Sequence, residues 1–418
     1  MIKRIIQIFN NNKKIIENFS FLSLFQVFTL LSPLLTYPYI IKVVGLEAYG
    51  LVIFAQTIVS YFSLFINFGF GTSAPRDVAL TKNNPLKLSE LVSSVFLLKL
   101  FIWIISFIIY LIFVSLFKPF SDYFLLFLFS FFMTIGDLLF PSWFFQGIEK
   151  MKYITYINIF VRSIFIFFVF IFINDSSDFI YIPLLNSFSG LLSGIISIFI
   201  LVKFENISFV LVPKKMLVEQ MKSSFILFVS TFFINIYMKL NKIIIGSFLG
   251  MSEVALYDLG EKIINILKIP IFKISEAVFP KISINKSISY INKAMCITTL
   301  SVTIMYICLF FSSDWIVYYF LGYEDDVASN VVKILGSSLL FLSFNMFFGG
   351  LRLIPFGYDK DYSFVMVTNG IIYLILMLIL WGFNYLNIYS VSFAYVIVEV
   401  ICSILLYNKA KKLKLIFD

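Results

Sequence analysis

Apolar residues run along this chain in blocks of about twenty or more, parted by short polar gaps. A helix needs about 20 mostly apolar residues to cross the hydrocarbon core of a bilayer. The pattern predicts twelve such spans, at 18–42, 48–71, 88–117, 122–146, 153–174, 179–203, 223–249, 256–280, 291–320, 328–352, 361–384 and 387–408. The eighth carries several charges, and hydropathy alone fits eleven spans as well as twelve. No gap has room for a folded soluble domain.

Charge placement favours twelve. One alternate set of gaps holds most of the cations, among them Lys3, Arg4, Lys13 and Lys14, then Arg76, Lys82 and Lys87, Lys214, Lys215 and Lys222, and Lys409, Lys411, Lys412 and Lys414. The other set holds only Lys42 and Lys118, with acids such as Glu47, Asp122, Asp175, Glu324, Asp325 and Asp326. Cations accumulate on the cytoplasmic side of membrane proteins, so both termini are expected there, which requires an even number of spans. Met1–Glu17 is polar and basic, and the apolar run from Phe19 to Ile41 is too long for the core of a cleavable signal. It reads as the first span.

Composition agrees with the pattern. Mean hydropathy is +0.99, with 61% hydrophobic and 13% charged residues, against about 45–50% and about 25% in soluble domains. There is no His, which removes the commonest metal ligand. Cys296, Cys308 and Cys402 lie within apolar segments and read as small buried apolar residues, with no disulfide and no metal site expected.

The chain reads as two copies of six helices. Gly45, Glu47 and Tyr49 follow span one, as Gly250, Glu253 and Tyr257 follow span seven. Phe145-Gln146-Gly147-Ile148-Glu149-Lys150 follows span four, as Phe356-Gly357-Tyr358-Asp359-Lys360 follows span ten. The lags are 250 − 45 = 205 and 357 − 147 = 210 residues. An N-lobe (1–203), a cytoplasmic linker (204–222) and a C-lobe (223–418) are expected, related by a pseudo-two-fold axis along the membrane normal.

Polar residues fall in stripes at helical spacing. Span two carries Gln56, Ser60, Ser63 and Asn67; span seven carries Asn235, Lys239 and Lys242. Span eight carries Asp258, Lys262, Asn265, Lys273 and Glu276, with Lys268 on the flank. Span five has Asn158 and Arg162, and span twelve has Ser392, Glu399 and Ser403. Helix–helix hydrogen bonding is one reading of the Ser and Asn residues. Snorkelling to an interface is one reading of Lys42, Lys99 and Lys333, and of Arg76 and Arg352 at cytoplasmic ends. Lys239, Lys242, Lys262 and Lys268 lie away from those ends. They point to a water-filled cationic cavity, partly neutralised by Asp258, Glu261 and Glu276, that takes an anion. Lys273 and, in the other half, Arg162 are assigned to the same cavity, with Arg76 and Arg352 near the cytoplasmic mouth. Pro33, Pro38, Pro270, Gly349, Gly350 and Pro355 permit kinks.

Several stretches carry a family resemblance. Pro33-Leu34-Leu35-Thr36-Tyr37-Pro38 through Gly45-Leu46-Glu47-Ala48-Tyr49-Gly50, Asn67-Phe68-Gly69-Phe70 with Arg76-Asp77, and Pro141-Ser142-Trp143-Phe144-Phe145-Gln146-Gly147 are among them. So are Lys239-Leu240-Asn241-Lys242 and Glu261-Lys262 with Pro270. Together they resemble bacterial polysaccharide-repeat flippases of the Wzx type, except that Asn241 stands where an Asp is expected. The resemblance implies an all-α, V-shaped carrier of twelve helices in two lobes around a central cavity, similar in fold to multidrug extruders and the lipid II flippase. It implies a monomer in the bacterial cytoplasmic membrane that moves an undecaprenyl-pyrophosphate oligosaccharide to the outer leaflet by alternating access. A polysaccharide polymerase and a chain-length regulator are the protein partners it suggests; nucleic acid and cofactors are not expected. Under this reading Gln56, Ser60, Ser63, Asn67, Asn235 and Asn265 are candidates to contact sugar.

Three alternatives remain. A drug extruder of the same fold would carry carboxylates and aromatics, not lysines, in its cavity. A lipid II flippase differs only by family signatures. A membrane polysaccharide polymerase would need paired acids or a nucleophile on a sizeable loop. The only outer cluster is Glu324-Asp325-Asp326, and there is no phosphate-binding glycine loop.

Overall fold

The computed structural model describes residues 13–416, and among them there are helices and no strands. In order they are α1 (Lys13–Val44), α2 (Leu46–Asn67), α3 (Phe70–Thr81), α4 (Pro85–Leu116), α5 (Lys118–Ser121), α6 (Phe124–Phe132), α7 (Thr134–Leu139), α8 (Ser142–Gly147) and α9 (Met151–Phe172). A 3₁₀ turn (Ser176–Ile180) leads into α10 (Tyr181–Lys203), followed by α11 (Lys214–Phe248), α12 (Met251–Asn285), α13 (Ile288–Leu321) and α14 (Asp326–Asn345). A π-helical turn (Met346–Leu353), α15 (Asp359–Gly382) and α16 (Ile388–Lys412) complete the chain. Lys3 and Arg4, which enter the charge pattern, lie outside the described residues.

Every predicted span falls on helix. Among the described residues, ten helical segments are long and apolar enough to cross a membrane. The other two predicted spans lie on α11 and α12, each 35 residues long and the most charged of the set. α4, α13 and α15 leave large apolar side chains such as Phe101, Ile112, Phe311 and Leu378 exposed. Apolar surface on this scale suits hydrocarbon rather than water. The same property corrects the cysteine expectation: Cys402 is buried, but Cys296 and Cys308 are exposed on α13. In a membrane helix an apolar position need not face the protein.

Two spans are broken. The second bends at Phe68 and Gly69, both with positive φ (38° and 77°), before α3 begins. The fourth divides into α6, α7 and α8. At its second break Phe140 is extended (φ −90°, ψ 104°), because Pro141 disfavours helical backbone in the residue before it. At the first, the Trp103 indole donates to Thr134 Oγ1 (2.8 Å), which donates in turn to Phe131 O (2.7 Å). By contrast, Pro33, Pro38 and Pro270 stay inside continuous helices.

The chain forms two compact units. One takes the chain up to Gly45 together with Ala55–Phe232; the other takes Leu46–Phe54 with Phe233–Asp418. The first division falls at Gly45, between α1 and α2, and the other two fall inside α2 and α11. The non-helical stretch 204–213 lies against α4: Ser208 and Val210 N–H donate to Ser89 Oγ (3.2 Å) and Ser93 Oγ (2.9 Å). The glycines paired by sequence differ in role. Gly45 (φ 83°) and Gly250 (φ 146°) each precede a helix in a conformation that favours glycine. Gly357 is also left-handed (φ 88°), but Gly147 is helical, and an added Cβ there would meet Val78 and the Pro75 carbonyl.

Candidate functional site

The second unit gathers its charges on α11, α12, α16 and the first turns of α2. α11 and α12 are joined at Leu249 and Gly250, and Lys242 near the end of one lies beside Asp258 near the start of the other. Lys242 Nζ lies 2.9 Å from Asp258 Oδ1 and 2.7 Å from Glu261 Oε2. Lys262, one turn beyond Asp258 on the same helix face, reaches Asp258 Oδ2 at 2.8 Å. One buried carboxylate, only 2% exposed, thus holds two ammonium groups. Tyr49 closes the group: Lys262 Nζ donates to its hydroxyl (2.9 Å), which lies 3.4 Å from Asp258 Oδ2. Gly50 lets this segment of α2 come so near, because a Cβ at that position would overlap the Met251 carbonyl.

Two turns along α12, Lys268 is buried, with Nζ 3.4 Å from the Tyr395 hydroxyl. A cavity of about 20 Å³ lies between Tyr257, Glu261, Ile264, Lys268, Leu335 and Tyr395, room for about one water molecule. On α16, buried Glu399 accepts from Asn345 Nδ2 (2.6 Å), and Asn345 Oδ1 accepts from Ser403 Oγ (2.7 Å). Lys242, Lys262 and Lys268 are therefore matched by Asp258, Glu261 and Glu399. The cationic cavity read from sequence is, in this conformation, a neutral network. Burial requires this, since an unpaired charge in a low-dielectric interior costs several kcal/mol.

Beside the network, Asn241 Oδ1 accepts from the Tyr373 hydroxyl. The amide nitrogen of Asn241 and both side-chain polar atoms of Asn369 are buried without a partner.

The remaining predicted residues disperse. Lys273 pairs with Glu276 (2.6 Å), nearer the end of α12 than the network. Asn265 is exposed; Lys239 and Asn235 are half-buried on α11. Arg76 is exposed on α3. Arg162 on α9 is half-buried and makes no hydrogen bond or ion pair among the described residues. Arg352, expected at the cytoplasmic mouth, is wholly buried (0% exposed). The π-helical turn directs it inward, where Nε donates to Leu415 O (3.1 Å), Nη1 to Phe347 O (3.1 Å) and Nη2 to Asn292. It stacks 4.9 Å from the Phe348 ring centroid. With its donors used on Leu415 O, Phe347 O and Asn292, it ties the π-helical turn to α13 and to the segment after α16.

The span-two stripe also resolves differently. Gln56 is half-buried and Ser60 Oγ donates to Thr57 O (2.6 Å). Ser63 Oγ and Asn67 Nδ2 donate to the two oxygens of Asp137 (2.6 and 3.1 Å). Lys99, read as a snorkelling lysine, is instead buried (2% exposed) and donates to Asn67 Oδ1 (2.9 Å) and Asp137 O (2.8 Å). Its partners lie inside the unit, so its ammonium has no need to reach the interface. Tyr49, Asp137, Asn345 and Tyr395 escape sequence reasoning as site residues. Asp137 alone left a signal: a carboxylate inside an apolar span, four residues before a proline. Among the described residues, no group of three or more Cys, Asp or Glu side chains could hold a metal.

Comparison with known proteins follows the same lines. The family model described as "Polysaccharide biosynthesis protein" matches residues 15–286. A protein of Escherichia coli (strain K12) named "Putative O-antigen transporter" is 27% identical over 376 residues, covering 88% of this chain and 90% of its own length. One of the same name from Shigella dysenteriae is 23% identical, covering 82% and 87%. Among solved structures, the lipid II flippase MurJ in an inward closed conformation superposes with a TM-score of 0.76 at 16% identity, covering 93% of this chain and 87% of that one. An inward-facing multidrug resistance transporter of the MATE family gives 0.68 at 15%, covering 92% and 95%. These two likenesses establish the fold.

Proposed function

Since the chain belongs to the polysaccharide biosynthesis protein family, we propose that it is a membrane transporter that carries a lipid-linked oligosaccharide diphosphate from the inner to the outer leaflet. The bacterial cytoplasmic membrane is its place, with twelve spans in two lobes, both termini cytoplasmic, and access alternating between the two sides. The names of its relatives support an O-antigen-type substrate. A polymerase and a chain-length regulator that act on the same product are its expected partners.

The observation that carries the reading is the sharing of Asp258 by Lys242 and Lys262. A diphosphate offers the oxygen geometry of a carboxylate with more charge, so it competes with Asp258 and Glu261 for the same ammonium groups. Lys268 extends this surface one cavity further, and Lys239 and Lys273 supply further positive charge on the same two helices. The carboxylates keep the lysines buried and neutralised while no substrate is bound, and take them back on release. The prenyl chain stays in the bilayer, which explains why the site needs charge and hydroxyl groups and no apolar pocket of its own.

A deletion strain tests the reading. Intact lipid-linked repeats should accumulate on the cytoplasmic face, with loss of surface polymer. Repeats collecting singly on the outer face would place the defect at polymerisation and overturn it. Lys242→Ala and Lys262→Ala, each inserted at normal level, should fail to restore surface polymer. Full restoration by both would refute the assignment of this network as the anion site.

A further inference from the structure

The first unit carries an apolar groove that shares no residue with the charge network of the second. Residues 204–213 leave the end of α10 and run without helix along α4. Ile207 fixes this stretch at one point, buried in the core of the unit. Near hydrocarbon, backbone N–H groups need partners. Those of Ser208 and Val210 find them in Ser89 and Ser93, one turn apart on α4. Between this stretch, α4 and α7 lies a cavity of about 360 Å³. Phe96, Leu97 and Leu100 on α4 form one wall, Leu138 and Leu139 on α7 a second, and residues 209–211 the third. Ser93 is the one polar side chain of the lining, and its hydroxyl already accepts from Val210 N–H. Phe209 meets Phe96 edge to face, with ring centroids 5.4 Å apart, which stiffens the third wall. Leu211, at its rim, is 97% exposed.

The volume is that of a small-molecule site, about 300–1,000 Å³, but no side chain in it could orient a polar molecule. The charges around it say what fills it. Lys203 precedes the stretch, and Lys214 and Lys215 follow Leu211 by three and four residues; all three are exposed. Of the acids nearby in sequence, Glu205 is held by Lys150 at 2.6 Å, and Glu90 and Glu219 are exposed. The contact of Ser208 with Ser89 sets the end of α10 level with the start of α4. Ser93 lies about 12 Å along α4 from Pro85, and Leu100 about 10 Å further. The groove is therefore deeper in the membrane than the lysines.

We propose that one chain of an anionic phospholipid fills this groove, with its phosphate among Lys203, Lys214 and Lys215. A head group at the interface with a chain running inward has this polarity, and lysines clustered at the end of a membrane helix favour anionic lipid. A groove with nothing polar to select its occupant fills by mass action with the most concentrated chain. In a membrane that chain belongs to a phospholipid, not to a lipid-linked substrate. The lysines differ in the same sense from those of the anion network, for exposed ammonium groups suit a hydrated head group. An occupied groove covers Leu211 and holds residues 209–211 against α4 and α7, so the lipid completes the connection from α10 to α11.

The test uses the full chain in nanodiscs that contain phosphatidylglycerol with a photoreactive diazirine in one acyl chain. After illumination, residues 96–100 and 209–211 should carry about ten times the label found around Phe311, which is exposed on α13 and has no groove. Label spread evenly over the two regions overturns the site. Leu97→Trp, which fills the groove and leaves the lysines untouched, should remove most of the label from residues 209–211; unchanged labelling there overturns it as well. Phosphatidylcholine bearing the same chain should label the groove about tenfold less at low salt. In the triple variant Lys203→Gln, Lys214→Gln, Lys215→Gln the two lipids should label equally. Equal labelling by both lipids in the wild type, or a preference that survives in the triple variant, overturns the head-group placement. Displacement of the label by polyprenyl phosphate at about one-tenth of the phospholipid concentration would give the groove to the chain of a lipid-linked substrate and overturn the phospholipid. No arm reads transport, so the outcome is independent of the transporter reading.

Discussion

The two units bury charge in opposite ways. In the second, Lys242, Lys262, Asp258 and Glu261 touch directly, oxygen to ammonium, at 2.7–2.9 Å. In the first, Lys99 never touches the carboxylate of Asp137; Asn67 stands between them, and the ammonium is spent on a backbone carbonyl. Direct pairs can be exchanged one anion for another, so the second arrangement suits a site that releases its own carboxylates to a substrate. The mediated pair is tied into a helix break. It cannot be swapped for a diphosphate without unmaking the backbone geometry, because the same ammonium holds the Asp137 carbonyl.

Single substitutions probe that contrast. The largest effect is expected for Asp258→Ala, which leaves half-buried Lys262 without its carboxylate and Lys242 with Glu261 alone, and should destabilise the protein by about 3 kcal/mol. Thermal unfolding in detergent would show it, and adding Lys262→Met should recover part of the loss. An unchanged melting temperature would mean the pairs are already solvated and the two regions do not differ. Lys99→Met is isosteric and leaves the Asp137 carbonyl without a donor, an expected cost of about 1–3 kcal/mol read in the same assay. Its loss should be independent of salt, whereas moderate salt should shift the unfolding of Lys242 variants. Tyr49→Phe removes the hydroxyl that meets Lys262 and Asp258 and should cost about 1 kcal/mol, with anion competition at the network left intact. The smallest effect is expected for Asn369→Leu. Neither of its polar atoms has a partner, so stability should stay within about 1 kcal/mol of wild type or rise. A larger loss would reveal a bound species at the Asn369 amide.

Much of the fold was legible along the chain, and less of the site. The predicted spans fall on helix, and for ten segments apolar length by itself suits a bilayer. Asp258 and Lys262 were legible as neighbours because i, i+4 spacing puts them on one face of a helix. Lys99 and Arg352 were misplaced for one reason. A long basic side chain in a membrane helix can snorkel outward or turn inward, and only the presence of inward acceptors decides. For Lys99 these are Asn67 and the carbonyl freed by Pro141; for Arg352 they are Leu415 O, Phe347 O and Asn292.

By itself the sequence determined the solvent of this protein and where its apolar helical stretches lie. The free energy of placing apolar residues in lipid is additive along the chain and needs no knowledge of neighbours. Tertiary structure alone decided which charges meet. Tyr49 reaches Asp258 across 209 residues and Ser63 reaches Asp137 across 74, and one helix, α2, supplies both. Pairing energies depend on distances of a few tenths of an ångström between helices far apart in sequence, and no periodicity within a single helix encodes them.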